Sequence, residues 1–185
     1  MIDKVANDLR CYTEAATGLA GVAIGVPSRS GHFLLLFDPK GAGGQFEAVG
    51  IDDRKADGFY IRLRDGAISE VPKISRGGSC ERSSFVTAPC RLVAYSHRFG
   101  VKELYDVFRA ALTTYTRGSI GEEVQAVDAS VRRILLDFTS IVIEESTPQE
   151  RESMTGYEGM MNLIAIDFDL NYTHENCGKT VKPLC

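Results

Sequence analysis

Apolar residues recur at Ile2, Val5, Leu9 and Tyr12, the spacing of one helix face, while Asp3, Lys4, Asp8 and Arg10 fall on other faces and Gly18 and Gly21 end the run. The pattern then changes period. "GVAIGVP" and "HFLLLFD" read as two strands, and Pro27, Ser28, Ser30 and Gly31 between them predict a hairpin. From 38 to 58 the chain is polar and glycine-rich, with one short strand around Phe46 to Val49; 73–84 is a second loop. Between the loops, "FYIRLRDGAISEV" alternates on both sides of an Asp-Gly pair and predicts another hairpin.

The second half is more regular. "SFVTAPCRLVAYSHR" predicts a long strand interrupted or bent at Pro89, because proline cannot donate to a central ladder and is tolerated at an edge or bulge. Val101, Leu104, Tyr105, Phe108, Ala111, Leu112 and Tyr115 line one face of a helix that Gly118 stops. "RRILLDFTSIVIEES" and "MMNLIAIDFDLNYTH" read as two long strands that pair as an antiparallel hairpin across a polar loop. The expected architecture is one α+β domain over 1–185. It has a mainly antiparallel sheet, an N-terminal helix, a central amphipathic helix packed on the sheet, long loops at 38–58 and 73–84, and a tail at 174–185.

Composition narrows the functional classes. With 44% hydrophobic and 25% charged residues, the chain can build one core. A formal charge of -4 gives no general attraction to nucleic acid or to an anionic membrane. No apolar run is long enough to span a bilayer, and the N-terminus has no cleavable apolar segment. Cys11, Cys80, Cys90, Cys177 and Cys185 form no Cys-x-x-Cys pair, so reduced thiols and no disulfide framework are expected.

Candidate chemistry centres on the last strand. "NLIAIDFDLNYTH" opens like the nucleophile strand of a haloacid-dehalogenase-type phosphotransferase, which would make Asp167 the nucleophile and Asp169 its acid. Leu170 and Asn171 depart from that pattern, and too little chain follows to supply the remaining motifs. Alternation places Ala165, Asp167, Asp169, Asn171 and Thr173 on one face, which is read as solvated. His174, Cys177 and Cys185 have donor types that suit zinc but match no common spacing. Cys90 with His97 reads as packing in a strand, and Asp137, Glu144, Glu145, Asp167 and Asp169 as a charged solvent face or a subunit contact. No catalytic residue, cofactor or metal ligand is therefore assigned. Lys73, Arg76 and Arg82 make "PKISRGGSCERSS" the most basic exposed stretch.

In layout the chain resembles the tail-completion and tail-terminator proteins of tailed phages. The features that carry the likeness are the N-terminal helix "MIDKVANDLRCYTEA", the strand–helix unit "RLVAYSHRFGVKELYDVFRAALTTYT" and the late hairpin ending in "LIAIDFDLNY". Together they cover the outer two-thirds of the chain and contain no diagnostic motif. The resemblance implies a non-enzymatic virion subunit, made in the host cytoplasm, that forms a homo-oligomeric ring at the head–tail joint (neck) or tail end. Its partners would be copies of itself, neighbouring neck or tail proteins and passing DNA without sequence specificity. Lys73, Arg76 and Arg82 would then be subunit or DNA-facing contacts. The long middle from 38 to 84 and the C-terminal "THENCGKTVKPLC" depart from so small a subunit. The competing classes are a small cytosolic hydrolase or transferase using the late acids, and a binding module that takes a peptide on a free sheet edge.

Overall fold

A 14-residue strand, Ser83–Ser96, is the template on which much of the sheet is laid. The computed structural model describes residues 1–24, 36–38, 47–49, 57–64, 68–73, 83–121, 123–146 and 161–175. In chain order the elements are α1 (Ile2–Thr17), β1 (Gly21–Ile24), β2 (Leu36–Asp38), β3 (Glu47–Val49), β4 (Gly58–Leu63), β5 (Ser69–Lys73) and β6 (Ser83–Ser96). They continue with α2 (Val101–Thr114), β7 (Thr116–Ile120), β8 (Val124–Leu135), α3 (Phe138–Glu145) and β9 (Asn162–Glu175). The class is α+β. One sheet runs β1-β4-β6-β9-β8-β7, with β5 also on β6, and β2 and β3 pair separately. Every described pairing is antiparallel except β1 with β4.

The two predicted early hairpins are corrected. β1 pairs in parallel with β4, and β2 pairs with β3, so β1 and β2 are not described as partners. Nor do β4 and β5 fold back on each other. Both run antiparallel to β6, β4 along residues 90–95 and β5 along 83–87, so they lie end to end on the same side of it. The Asp-Gly pair at 65–66 falls outside the described residues. Hairpin signals are local, whereas a long central strand offers every nearby segment a continuous ladder.

The expectation of a strand interrupted or bent at Pro89 is also corrected: β6 is a central strand and runs through Pro89 without a break. The register position of Pro89 on β6 lies between Cys90, which faces β4, and Thr87, which faces β5. The Pro89 carbonyl accepts from the Arg64 N–H at 2.9 Å, so its nitrogen points to that same side, where the flanking ladder is interrupted and no donor is needed. β6 therefore pairs with β9 without a break from Ser83 to Ser96.

Helices α1 and α2 cover one face. Val5 and Leu9 from α1 and Leu104, Phe108 and Leu112 from α2 pack on Phe59, Ile61, Leu92, Ile164, Ile166 and Phe168. The Phe59 and Phe108 rings meet edge to face at 5.3 Å. Gly21 is required by close approach, since a Cβ there would lie 2.2 Å from the Phe59 ring. Asp8, expected on an outer face of α1, is instead buried. It accepts from Tyr115 Oη at 3.0 Å and Arg117 Nε at 2.9 Å, which ties α1 to the chain leaving α2. At the other end of α2, Asp57 accepts from Ser96 Oγ, the His97 N–H and Arg98 Nε, while Glu103 accepts the Gly100 N–H.

The segment 132–146, expected as one strand, is part strand and part helix. β8 ends at Leu135, and Asp137 caps α3 by accepting from the Ser140 N–H at 2.8 Å. Burial decides against the β propensity of Ile141, Val142 and Ile143. As a helix, the segment packs Ile141, Val142 and Phe138 on Tyr60, Val93, Tyr95, Leu163 and Ala165, on the sheet face opposite α1 and α2. Being covered on both sides, β4 is buried at all its positions rather than alternating.

Expectations about the cysteines divide. Cys11 is disulfide-bonded, which corrects the reading of reduced thiols; a pairing of distant cysteines leaves no spacing signal in a sequence. Cys90 is a free thiol in the core, pushed up to about 12 by burial and by the charge of Asp169, so it is a neutral packing group.

Phe108 is fully buried between α2 and the sheet. Phe108→Ala is expected to cost about 3–5 kcal/mol through lost contacts and a cavity, measured by urea denaturation. A loss below about 1 kcal/mol would mean that α2 does not close this core.

Candidate functional site

On the α3 side, sheet register sets four charged residues in a row across four strands. Arg62 of β4 stands opposite Arg91 of β6, Arg91 opposite Asp167 of β9, and Asp167 opposite Arg133 of β8. The last turn of α3 lowers Glu144 and Glu145 onto this row. Arg64 reaches it from the end of β4, 3.1 Å from Asp167.

Arg91 is the centre, with 1% of its side chain exposed. Nε and Nη2 donate to the two oxygens of Asp167 at 2.6 and 2.9 Å, Nη1 donates to Glu145 at 2.8 Å, and Nη2 also donates to Glu144 at 2.7 Å. The planar guanidinium fork can meet three carboxylates at once, which a lysine ammonium could not do with this directionality. Burial alone would lower the Arg91 pKa, but these hydrogen bonds raise it, so it stays a cation.

Glu145 is equally enclosed. Its carboxylate accepts from Arg62 Nε at 3.0 Å, Arg62 Nη2 at 2.6 Å, Arg91 Nη1 at 2.8 Å and Tyr60 Oη at 2.8 Å. Burial and the Glu145 charge push the Tyr60 phenol well up, which fixes it as the donor. Glu144 bridges Arg91 and Arg133, the latter at 3.0 Å. Its burial works to raise the carboxyl pKa, but the hydrogen bond and charge of Arg91, reinforced by Arg133, bring it below its ordinary value.

The solvated-face reading of β9 is therefore corrected at Asp167, whose side chain is 2% exposed. Asp169, one alternation further along, stays near the surface and pairs with Arg132 at 2.6 Å. Beyond it the face is polar: Asn171 bridges Thr87, Asp128 and Ser130. Asp167, Glu144 and Glu145 are each engaged by two guanidiniums. No group of three or more His, Cys, Asp or Glu among the described residues is placed to hold a metal ion.

Of the basic residues singled out in the sequence, the described residues include one. Lys73 is described only as backbone at the end of β5, while Arg76 and Arg82 lie outside the described residues. Sequence reading passed over Arg62, Arg64, Arg91 and Arg133. The signal was present in "FYIRLR" and "PCRLVAY", where an arginine interrupts an apolar strand and must find a buried counter-charge.

No protein-family model matches the chain, and no curated protein matches it in sequence. The fold and this cluster define an α+β protein with a two-sided, mainly antiparallel sheet and a charged seam inside it. No helix among the described residues is long and apolar enough to cross a membrane.

Removing one partner of a buried pair leaves the others uncompensated. Arg91→Ala is expected to cost about 3–5 kcal/mol by denaturant melt, and Asp169→Asn less than about 1 kcal/mol, because Arg132 is largely exposed. Equal losses would mean that burial does not distinguish the Arg91–Asp167 pair from the Arg132–Asp169 pair. Glu144 and Asp57 both titrate below their ordinary 4.5 and 3.8 in the folded chain, Asp57 despite burial because Ser96, His97 and Arg98 donate to it. Their contribution is present above those values and is lost as pH falls through the depressed ones. The melting temperature should hold down to about pH 5 and drop below about pH 4.

Proposed function

We propose that the protein is a structural subunit of a tailed-phage virion, assembling with copies of itself into a ring at the head–tail joint or tail end. The observation that supports this reading is that β1, β5 and β7 each have a single strand partner among the described residues; in this reading another chain extends the second edge. β5 is the most exposed of them: every described side chain on it is exposed, Val71 at 56%, and the residue opposite Val71 on β6 is Phe85 at 41%. A rigid sheet braced on both faces suits a part that transmits contacts around a ring, and repeated head-to-tail contacts close into a ring when the rotation permits.

In this reading neighbouring neck or tail proteins meet the two rims of the ring and the virion is the site of action. Lys73, Arg76 and Arg82 are then the candidate contacts with an adjacent subunit or with the phosphates of passing DNA. The cluster around Arg91 serves rigidity rather than turnover, since its acids are engaged by arginines.

Light scattering of the purified protein, with negative-stain images of the same sample, is expected to give rings of one size. Val71→Glu, which places a charge at an exposed site, should reduce the mass to that of one chain while leaving the fold unchanged by circular dichroism. Monomers at every concentration, alone and with the adjoining virion proteins, would overturn the reading.

A further inference from the structure

α3 is a poor helix by its own sequence. It has eight residues, "FTSIVIEE", with Thr139, Ile141, Val142 and Ile143 branched at Cβ. It is too short to persist alone, and branched residues lose side-chain freedom in a helix. Its last turn carries Glu144 and Glu145 and no base, so two negative charges sit at the negative end of the helix dipole. The sheet offsets these handicaps, since both carboxylates dock on arginines of β4, β6 and β8. Tertiary contact therefore makes this helix, and breaking the contact removes the reason for it.

The row beneath α3 is lopsided without it. Of the carboxylates described there, Asp167 belongs to the row itself and pairs with Arg64 and Arg91, whereas the carboxylates that meet Arg62, Arg133 and the rest of the Arg91 fork are brought by α3. Guanidinium forks arranged to meet two carboxylates are equally matched to other oxyanions. Arg133, at one end of the row, and Arg64, which meets Asp167, already reach solvent, with 52% and 38% of their side chains exposed, so an anion has an approach to the row.

We propose that α3 is a displaceable cover over an oxyanion-binding row. The Arg62, Arg91 and Arg133 guanidiniums that hold Glu144 and Glu145 also bind an external multivalent oxyanion, which takes the place of the two carboxylates when α3 lifts. α3 is the internal occupant of the site. A ligand that binds the lifted state and not the closed one shifts the balance toward it, so the anion should increase the opening of α3 and of nothing else.

Hydrogen exchange of the full chain, followed peptide by peptide by mass spectrometry, tests this. Potassium chloride, inorganic pyrophosphate and malonate are compared at one ionic strength. In chloride, α3 amides are expected to exchange at least about tenfold faster than those of α2 and β9, the mark of local opening. Pyrophosphate at millimolar concentration should speed α3 exchange several-fold further with α2 and β9 unchanged. Arg133→Gln, at the exposed end of the row, should weaken that response without altering the fold. Acceleration by malonate as well identifies a general oxyanion site, and acceleration by pyrophosphate alone a phosphate site. The proposal is overturned if α3 exchanges only together with β9, if neither anion speeds it beyond chloride, or if the anions speed all elements alike.

Discussion

Burial of the Arg91 guanidinium is the constraint around which one side of this sheet is organised. A cation in a nearly water-free position is tolerable only when opposing charges and hydrogen bonds surround it, so Asp167, Glu145 and Glu144 must converge there. Each of those acids in turn recruits another donor, and the chain of requirements extends to Tyr60, Arg62, Arg64 and Arg133. The result fixes the register of four strands and the position of α3. A slip of one residue between β6 and β9 would turn Asp167 to the helix-covered core and bring an apolar side chain to Arg91.

The two faces of the sheet are stabilised by different physics. Under α1 and α2 the contact is continuous hydrocarbon, centred on Phe59, Phe108, Leu92 and Ile166, and its strength follows area removed from water. Under α3 a smaller apolar patch gives way within one strand interval to ion pairs, then to the hydrogen-bonded amides and hydroxyls of Thr87, Asn171 and Ser130. Charged contacts are directional, so this side contributes specificity of register and helix placement more than bulk stability. In the cover proposal it is also the side on which α3 lifts, with the core under α1 and α2 left closed.

The ring reading and the cover reading draw on different parts of the molecule. One concerns sheet edges, chiefly β5; the other concerns the middle of a sheet face. They meet in the rigidity of β6, which bears β5 at one end and the Arg91 cluster near its centre.

The sequence by itself determined the periodic elements: α1 and α2 from their apolar stripes, and β6 and β9 from their length and alternation. These follow from local geometry, which a side-chain pattern records directly. Tertiary structure decided what depends on distant partners. β4 and β5 lie end to end because β6 offered a longer template than their own turn did. Residues 138–145 are helical because their carboxylates and one apolar face found the sheet, against their β-branched composition. Asp167 and Asp169 look alike along the strand, yet one is sealed beneath α3 and the other meets a surface arginine. Alternation assigns a residue to a face, but only packing decides whether that face is wet.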